Sequence, residues 1–264
     1  MKIIRSFLLV VSLLLMLSSS AAGGIQRQRF EQIIDLVQDL YEPEFQNRQK
    51  RLRIMDYWES ERLEASARID MDTEGLLVVI TVTGGLARHD MITEGAFALV
   101  ICHEIGHFLA GSPSIGRFST EGQSDYFAAS SCMRQLIPRM SAGVIPATRD
   151  APAAVQKQCG TGFADAWNRN ICIQTAMAGL ALSRYFAHKK KVDFPRIESP
   201  DPNEVEVLGF GTQTVQCRLD TYVAAASCNP EIENATYPDR RWLCSRSGKL
   251  SYAARPGCWY PGFR

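Results

Sequence analysis

The chain has 264 residues, enough for one domain with a substantial core or a domain with a small appendage. Its 29 basic and 28 acidic residues leave a formal net charge of +1, which gives no reason to expect nucleic acid or an anionic membrane surface as the partner. With 46% hydrophobic and 22% charged residues the composition is that of an ordinary globular protein.

Lys2 and Arg5 precede an apolar run over residues 7–17, which gives way to Ser18-Ser19-Ser20-Ala21-Ala22. This order reads as a secretory signal peptide over residues 1–22, cleaved at a small-x-small site, because the run is too short to span a bilayer. The expected product starts near Gly23, is exported to a periplasm or the outside, and keeps no stable membrane anchor. All 8 cysteines follow the leader, an even number that reads as up to four disulfides in an oxidising compartment. If residues 218–227 are helical, Cys217 and Cys228 stand about 16 Å apart along the axis, too far to bridge. Each then needs another partner, and Cys244 and Cys258 are the nearest.

Residues 26–41 place Phe30, Ile33, Ile34, Val37 and Leu40 at helical spacing, and Leu52, Met55 and Trp58 predict a second helix after Pro43. Alternation at Arg68-Ile69-Asp70-Met71, turn chemistry at Asp72-Thr73-Glu74-Gly75 and the β-branched run over residues 76–83 predict a hairpin. Thr93 can cap a helix over residues 94–110, stopped by Gly111 and Pro113, and Ser119 or Thr120 can cap another over residues 121–136. A third apolar helix is expected over residues 171–187. Three prolines within residues 195–203 suggest a linker, followed by a strand over residues 205–208, a short helix from Arg218 and a Cys- and aromatic-rich tail.

The chemistry is concentrated in His103-Glu104-Ile105-Gly106-His107. Helical residues four apart differ by about 40° in azimuth, so both imidazoles can reach one metal ion. Glu104, beside the first of them, is placed to act as general base on a water rather than as a ligand. The preceding helix is apolar on nearly every side, and polar groups in such a helix need compensation, which a metal would supply. Fourteen residues after His107, Glu121-Gly122-Gln123-Ser124-Asp125 opens the next helix. Glu121 offers a third ligand, and Asp125, one turn on, can accept the free ring N–H of His103 and fix its tautomer.

A His-Glu-x-x-His helix followed by Glu-x-x-x-Asp resembles the gluzincin zinc metallopeptidases, and Glu121-x-x-Ser124-Asp125-Tyr126 is similar to soluble exported relatives of the CAAX prenyl protease and HtpX branch. The resemblance spans residues 77–132 and, more weakly, the segment around Arg218. It implies one Zn²⁺ held by His103, His107 and Glu121, and a strand ending Val82-Thr83-Gly84-Gly85-Leu86 that pairs with a substrate peptide along its edge. It also implies that Arg218 helps to stabilise the oxyanion. The family's downstream His-Pro is Thr212-Gln213 here, so Arg218 acts alone or Tyr126, Tyr222 or His188 substitutes.

The expected architecture is therefore α+β: a mainly helical zincin-like domain, a small sheet packed on the metal helix, and disulfides stapling the periphery. Residues 23–194 form the core, and residues 195–264 a Cys-rich lobe packed on the same site. The expected activity is hydrolysis of peptide bonds in peptide or protein substrates, with Glu104 as base. An exported zinc-holding module without catalysis, and a hydrolase of cell-wall peptides, share these residues and stay open.

Overall fold

A computed structural model describes residues 24–143, 150–208, 211, 213–229, 244 and 251–261. The predicted leader and Thr212 lie outside the described residues. The fold is α+β, with a three-stranded sheet, a two-stranded hairpin and a predominance of helix.

Helix α1, Arg27–Gln46, buries Phe30, Ile33, Ile34, Val37, Tyr41 and Phe45 along one face, as their spacing requires. The stretch after it is not the second helix that Leu52, Met55 and Trp58 suggested. Lys50–Tyr57 is strand β1, in which Leu52 is buried and Ile54 partly so, between Arg51 and Arg53. That alternation competes with the helical spacing of the same residues, and parallel pairing with a third strand decides between them.

Strands β2, Ala65–Asp72, and β3, Gly75–Thr83, form the expected antiparallel hairpin. The order in the sheet is β1-β3-β2, so β3 is central and buries Val78, Val79, Ile80 and Val82 on both faces. The expectation that β3 is an edge strand is therefore corrected: β1 and β2 occupy both its sides, and β2 has the free edge nearest the site.

Gly84 and Gly85 begin a short helix, α2, Gly84–Arg88. A Cβ on Gly84 would stand 1.9 Å from the Trp58 carbonyl oxygen, and one on Gly85 2.5 Å from that of Arg62. Both glycines therefore lie under the chain's own loop, and Gly85 donates its N–H to Ser60 at 2.7 Å. They are not the substrate-binding backbone the sequence reading assigned to them; of the three residues, only Leu86 lines the cleft described below.

Helix α3, Glu94–Leu109, is capped by Thr93, whose hydroxyl accepts the Ala96 N–H at 3.1 Å. It is buried from Ala96 to Gly106, with the sheet, α1 and later helices around it. After it come the hairpin β4, Ser114–Ile115, and β5, Phe118–Ser119. Helix α4, Glu121–Phe127, is capped by Thr120. It passes through a π turn, Ala128–Cys132, into α5, Met133–Met140, so the single helix expected here is three segments. Helix α6, Ala153–Gly162, precedes α7, Ala166–Lys190, which includes the predicted apolar helix, and α8, Val215–Ala226, includes the short one.

Four cysteine pairs are at disulfide distance: Cys102–Cys132, Cys159–Cys172, Cys217–Cys258 and Cys228–Cys244. The last two meet the requirement that Cys217 and Cys228 be bridged elsewhere. Such pairs fit an oxidising compartment, and no helix among the described residues is long and apolar enough to cross a membrane.

The strand expected at residues 205–208 is absent. The Val205 N–H donates to the Gly257 carbonyl at 2.8 Å, and Val207 is exposed. Residues 195–203 carry neither helix nor strand, but they are anchored rather than free: Arg196 N donates to Gln216 and Asp201 N to Asp220. The tail packs behind α4. Trp259 is buried and donates its indole N–H to Thr221 at 2.9 Å, and Tyr126 donates to the Ala253 carbonyl at 2.7 Å.

Candidate metal centre

Two close approaches bring the site together. Gly106, inside the HExxH sequence, lies against α4, where an added Cβ would stand 2.9 Å from Ser124 Cα and carbonyl oxygen. Cys102, one residue before His103, is bridged to Cys132 in the π turn that follows α4. The helix with the two histidines is thereby held against the helix with the two carboxylates.

His103, His107 and Glu121 present one ligand atom each, all within 4.8 Å of one another. Glu121 lies 3.3 Å from His103 Nε2 and 3.7 Å from His107 Nε2, and its carboxylate is partly open to the cleft. Both Nδ1 atoms are occupied from behind. That of His103 donates to Asp125 Oδ1 at 2.6 Å, and that of His107 lies 3.1 Å from both the Ser119 carbonyl oxygen and Ser124 Oγ. When the rings are neutral, these contacts favour the tautomer whose Nε2 lone pair faces the same space as Glu121.

Asp125 is fully buried and accepts four hydrogen bonds: from His103, from Tyr222 at 2.6 Å, and from Arg218 Nε and Nη2 at 2.8 and 2.6 Å. Burial pushes its pKa up, but Arg218 and His103 outweigh that and hold it well below the usual carboxylate range. Burial likewise opposes the charge on His103, yet Asp125 and Glu121 push its pKa up to about 10, a sign of how strongly the pocket draws positive charge. Glu121 is lowered to about 2, mainly by its contact with the His103 ring.

Glu104, 8% exposed, shares the cleft, and burial raises its pKa. Three carboxylates, Glu104, Glu121 and Asp125, face one guanidinium, Arg218, leaving two negative charges when the imidazoles are neutral. Two imidazoles, an anionic oxygen donor and that charge suit a divalent cation of the borderline class, so the residues present fit a metal ion. Asp201, Cys217 and Cys258 also converge, but both sulfurs are already paired with each other.

Arg218 lines the cleft, with two of its nitrogens committed to Asp125 and its guanidinium stacked 4.4 Å over Phe186. Tyr222 belongs to the same network, donating to Asp125. Tyr126 bonds to Ala253, and His188 is exposed beside His89, so neither is brought to the cleft. The cleft, of about 660 Å³, is walled by Leu86, Val100, Leu182, Tyr185 and Phe186 on one side and by residues 63–67 on the other.

Sequence patterns did not announce Ser119 and Ser124 as the backing of His107, or the wall from α7. The wall left a trace, since Leu182, Tyr185, Phe186 and Lys189 recur at helical spacing. The backing of His107 left none, because it combines a backbone carbonyl, that of Ser119, with a serine hydroxyl that no spacing singles out.

No family model, no curated protein and no solved structure matches this chain.

Proposed function

We propose that this chain is an exported zinc-dependent endopeptidase of the gluzincin type, working in a periplasm or outside the cell. The observation that carries the reading is the convergence of His103, His107 and Glu121 in one cleft with the buried carboxylate of Glu104 beside them. The two Nε2 atoms and the Glu121 carboxylate would hold the ion. A zinc ion in such a set supplies Lewis acidity, polarising a carbonyl and bringing the pKa of water down to about 7.

Glu104 accepts a proton from the attacking water as its oxygen bonds to the peptide carbonyl carbon. It returns that proton to the amide nitrogen as the C–N bond breaks, releasing a carboxylic acid and an amine. Burial strengthens it as a base. Asp125 holds the His103 tautomer, and Arg218 and Tyr222 hold Asp125, so Arg218 serves as a positioning residue and not as the oxyanion donor the family pattern implies.

The substrate backbone would lie along β2. Glu64 turns its N–H and carbonyl towards Thr83 Oγ1 on β3, so alternation turns those of Ala65 and Ala67 to the open edge in the cleft. The test is metal analysis of the purified chain together with cleavage of an unfolded protein before and after chelation. One zinc per chain, and activity that is lost on chelation and restored by zinc, is expected; a chain that binds no zinc refutes the reading.

A further inference from the structure

The metal cleft does not end at the ligands. Its outer rim is formed by Ile115 and Phe118 of the β4–β5 hairpin, 55% and 38% exposed, facing Ser66 and Ala67 of β2. A second cavity, of about 520 Å³, adjoins it, and Ala67 and Phe118 line both. This second space runs on beside Ile69 and Met71, and Met71, at 77%, is the most exposed large apolar residue among those described. Exposed apolar side chains that lie together along one groove, and not singly, mark an interaction surface.

The free edge of β2 continues along the same line. Residues 65, 67, 69 and 71 share one side in their pairing with β3, and the alternation that turns the Ala65 backbone outwards turns those of Ile69 and Met71 outwards as well. From Ala67 to Met71 this edge extends about 13 Å.

We propose that the β4–β5 hairpin and the outer half of β2 form a distal subsite for apolar side chains of an extended, unfolded polypeptide, about four residues from the bond that is cut. This rests on the peptidase reading and gives it a substrate class: unfolded chains with an apolar residue remote from the scissile bond, in preference to short peptides. The occupant follows from continuity with the cleft. A segment leaving the cleft along β2 has free backbone groups beside it and Ile115, Phe118, Ile69 and Met71 to receive alternate side chains, while Arg68, Asp70 and Arg117 also line the second space, so an extended segment with apolar residues at alternate positions fits and a compact one does not.

Two peptides that share a cleavable centre test this, one short and one extended on each side by six residues including leucines. In the wild type, kcat/KM for the long peptide is expected to exceed that for the short one about tenfold, and replacing the leucines by serines should remove the gain. In Ile115→Ser/Phe118→Ser the long-to-short ratio should fall close to one. Met71→Ser, at a position 77% exposed, should lower it in part. An equal rate on both peptides in the wild type, or an unchanged ratio in both variants, overturns the proposal.

A binding arm separates this failure from that of the peptidase reading. Anisotropy of the labelled long peptide is measured on Glu104→Gln, with and without the hairpin substitutions. If the wild type cuts neither peptide but the hairpin substitutions weaken binding about tenfold, the peptidase reading fails and the distal subsite stands. Binding that ignores the hairpin sinks the subsite.

Discussion

Replacing Asp125 by Asn keeps the shape of the side chain and removes its charge. Four hydrogen bonds converge on that carboxylate, and two come from Arg218, whose side chain is only 13% exposed. An amide presents one acceptor oxygen in place of two: set where Oδ1 stands it still accepts from His103, Tyr222 and Arg218 Nη2 but turns its NH2 against Arg218 Nε, so the Arg218 fork is broken in either orientation. Breaking a buried, hydrogen-bonded ion pair by removing one partner costs about 3–5 kcal/mol. At the metal site the same change loosens the His103 tautomer and removes one negative charge from the set that draws the cation. Removing an outer partner of a ligating histidine weakens metal binding about 10–100-fold, or about 1.4–2.8 kcal/mol. Zinc affinity is read by competition with a chromophoric chelator, and stability by urea unfolding of the metal-free chain. A zinc Kd and an unfolding midpoint both equal to the wild type would refute the claim that Asp125 ties the metal helix to Arg218.

Other consequences follow from single contacts. Gly106→Ala places a methyl group 2.9 Å from Ser124 backbone atoms, pushing α4 away; a loss of about 1–3 kcal/mol in unfolding and weaker zinc binding are expected, and an unperturbed zinc Kd would contradict the close approach. Trp259→Ala removes a buried ring with a hydrogen bond to Thr221, at about 3–5 kcal/mol in chemical denaturation. Asp220 has a pKa pushed up to about 6 by burial, against the hydrogen bonds from Asp201 N and Gln216. Because the folded chain holds that proton more tightly than the unfolded one, its effect is to raise stability as pH falls from about 6 towards 4. A carboxyl NMR titration with a midpoint below 4.5 would contradict it.

Local signals were legible where one stretch of chain carried its own reason. Thr93 and Thr120 cap α3 and α4 as their side chains allow, the all-round apolar character of residues 96–102 marks a buried helix, and the HExxH and ExxxD spacings mark the faces that converge. The requirement that Cys217 and Cys228 bridge elsewhere came from helix length alone. The errors concern pairing between distant segments. Leu52 and Ile54 fit a strand only once β3 lies beside them. Whether β2 or β3 is the edge depends on β1 returning to pair in parallel, which no local pattern announces. Gly84-Gly85 carries a real constraint, close approach of backbone, but the approaching backbone is residues 58–62 of the same chain. Arg218 and Asp125 each stand out in the sequence, but that they pair with one another is visible only in three dimensions.

The central claim, that Glu104 moves the proton in a hydrolysis carried out at the His103, His107 and Glu121 centre, is tested most directly by turnover of an unfolded protein by the wild type and Glu104→Gln at equal measured zinc content. One zinc is expected in each, with a rate at least about 100-fold lower in the variant; equal rates at equal zinc would overturn the role of Glu104.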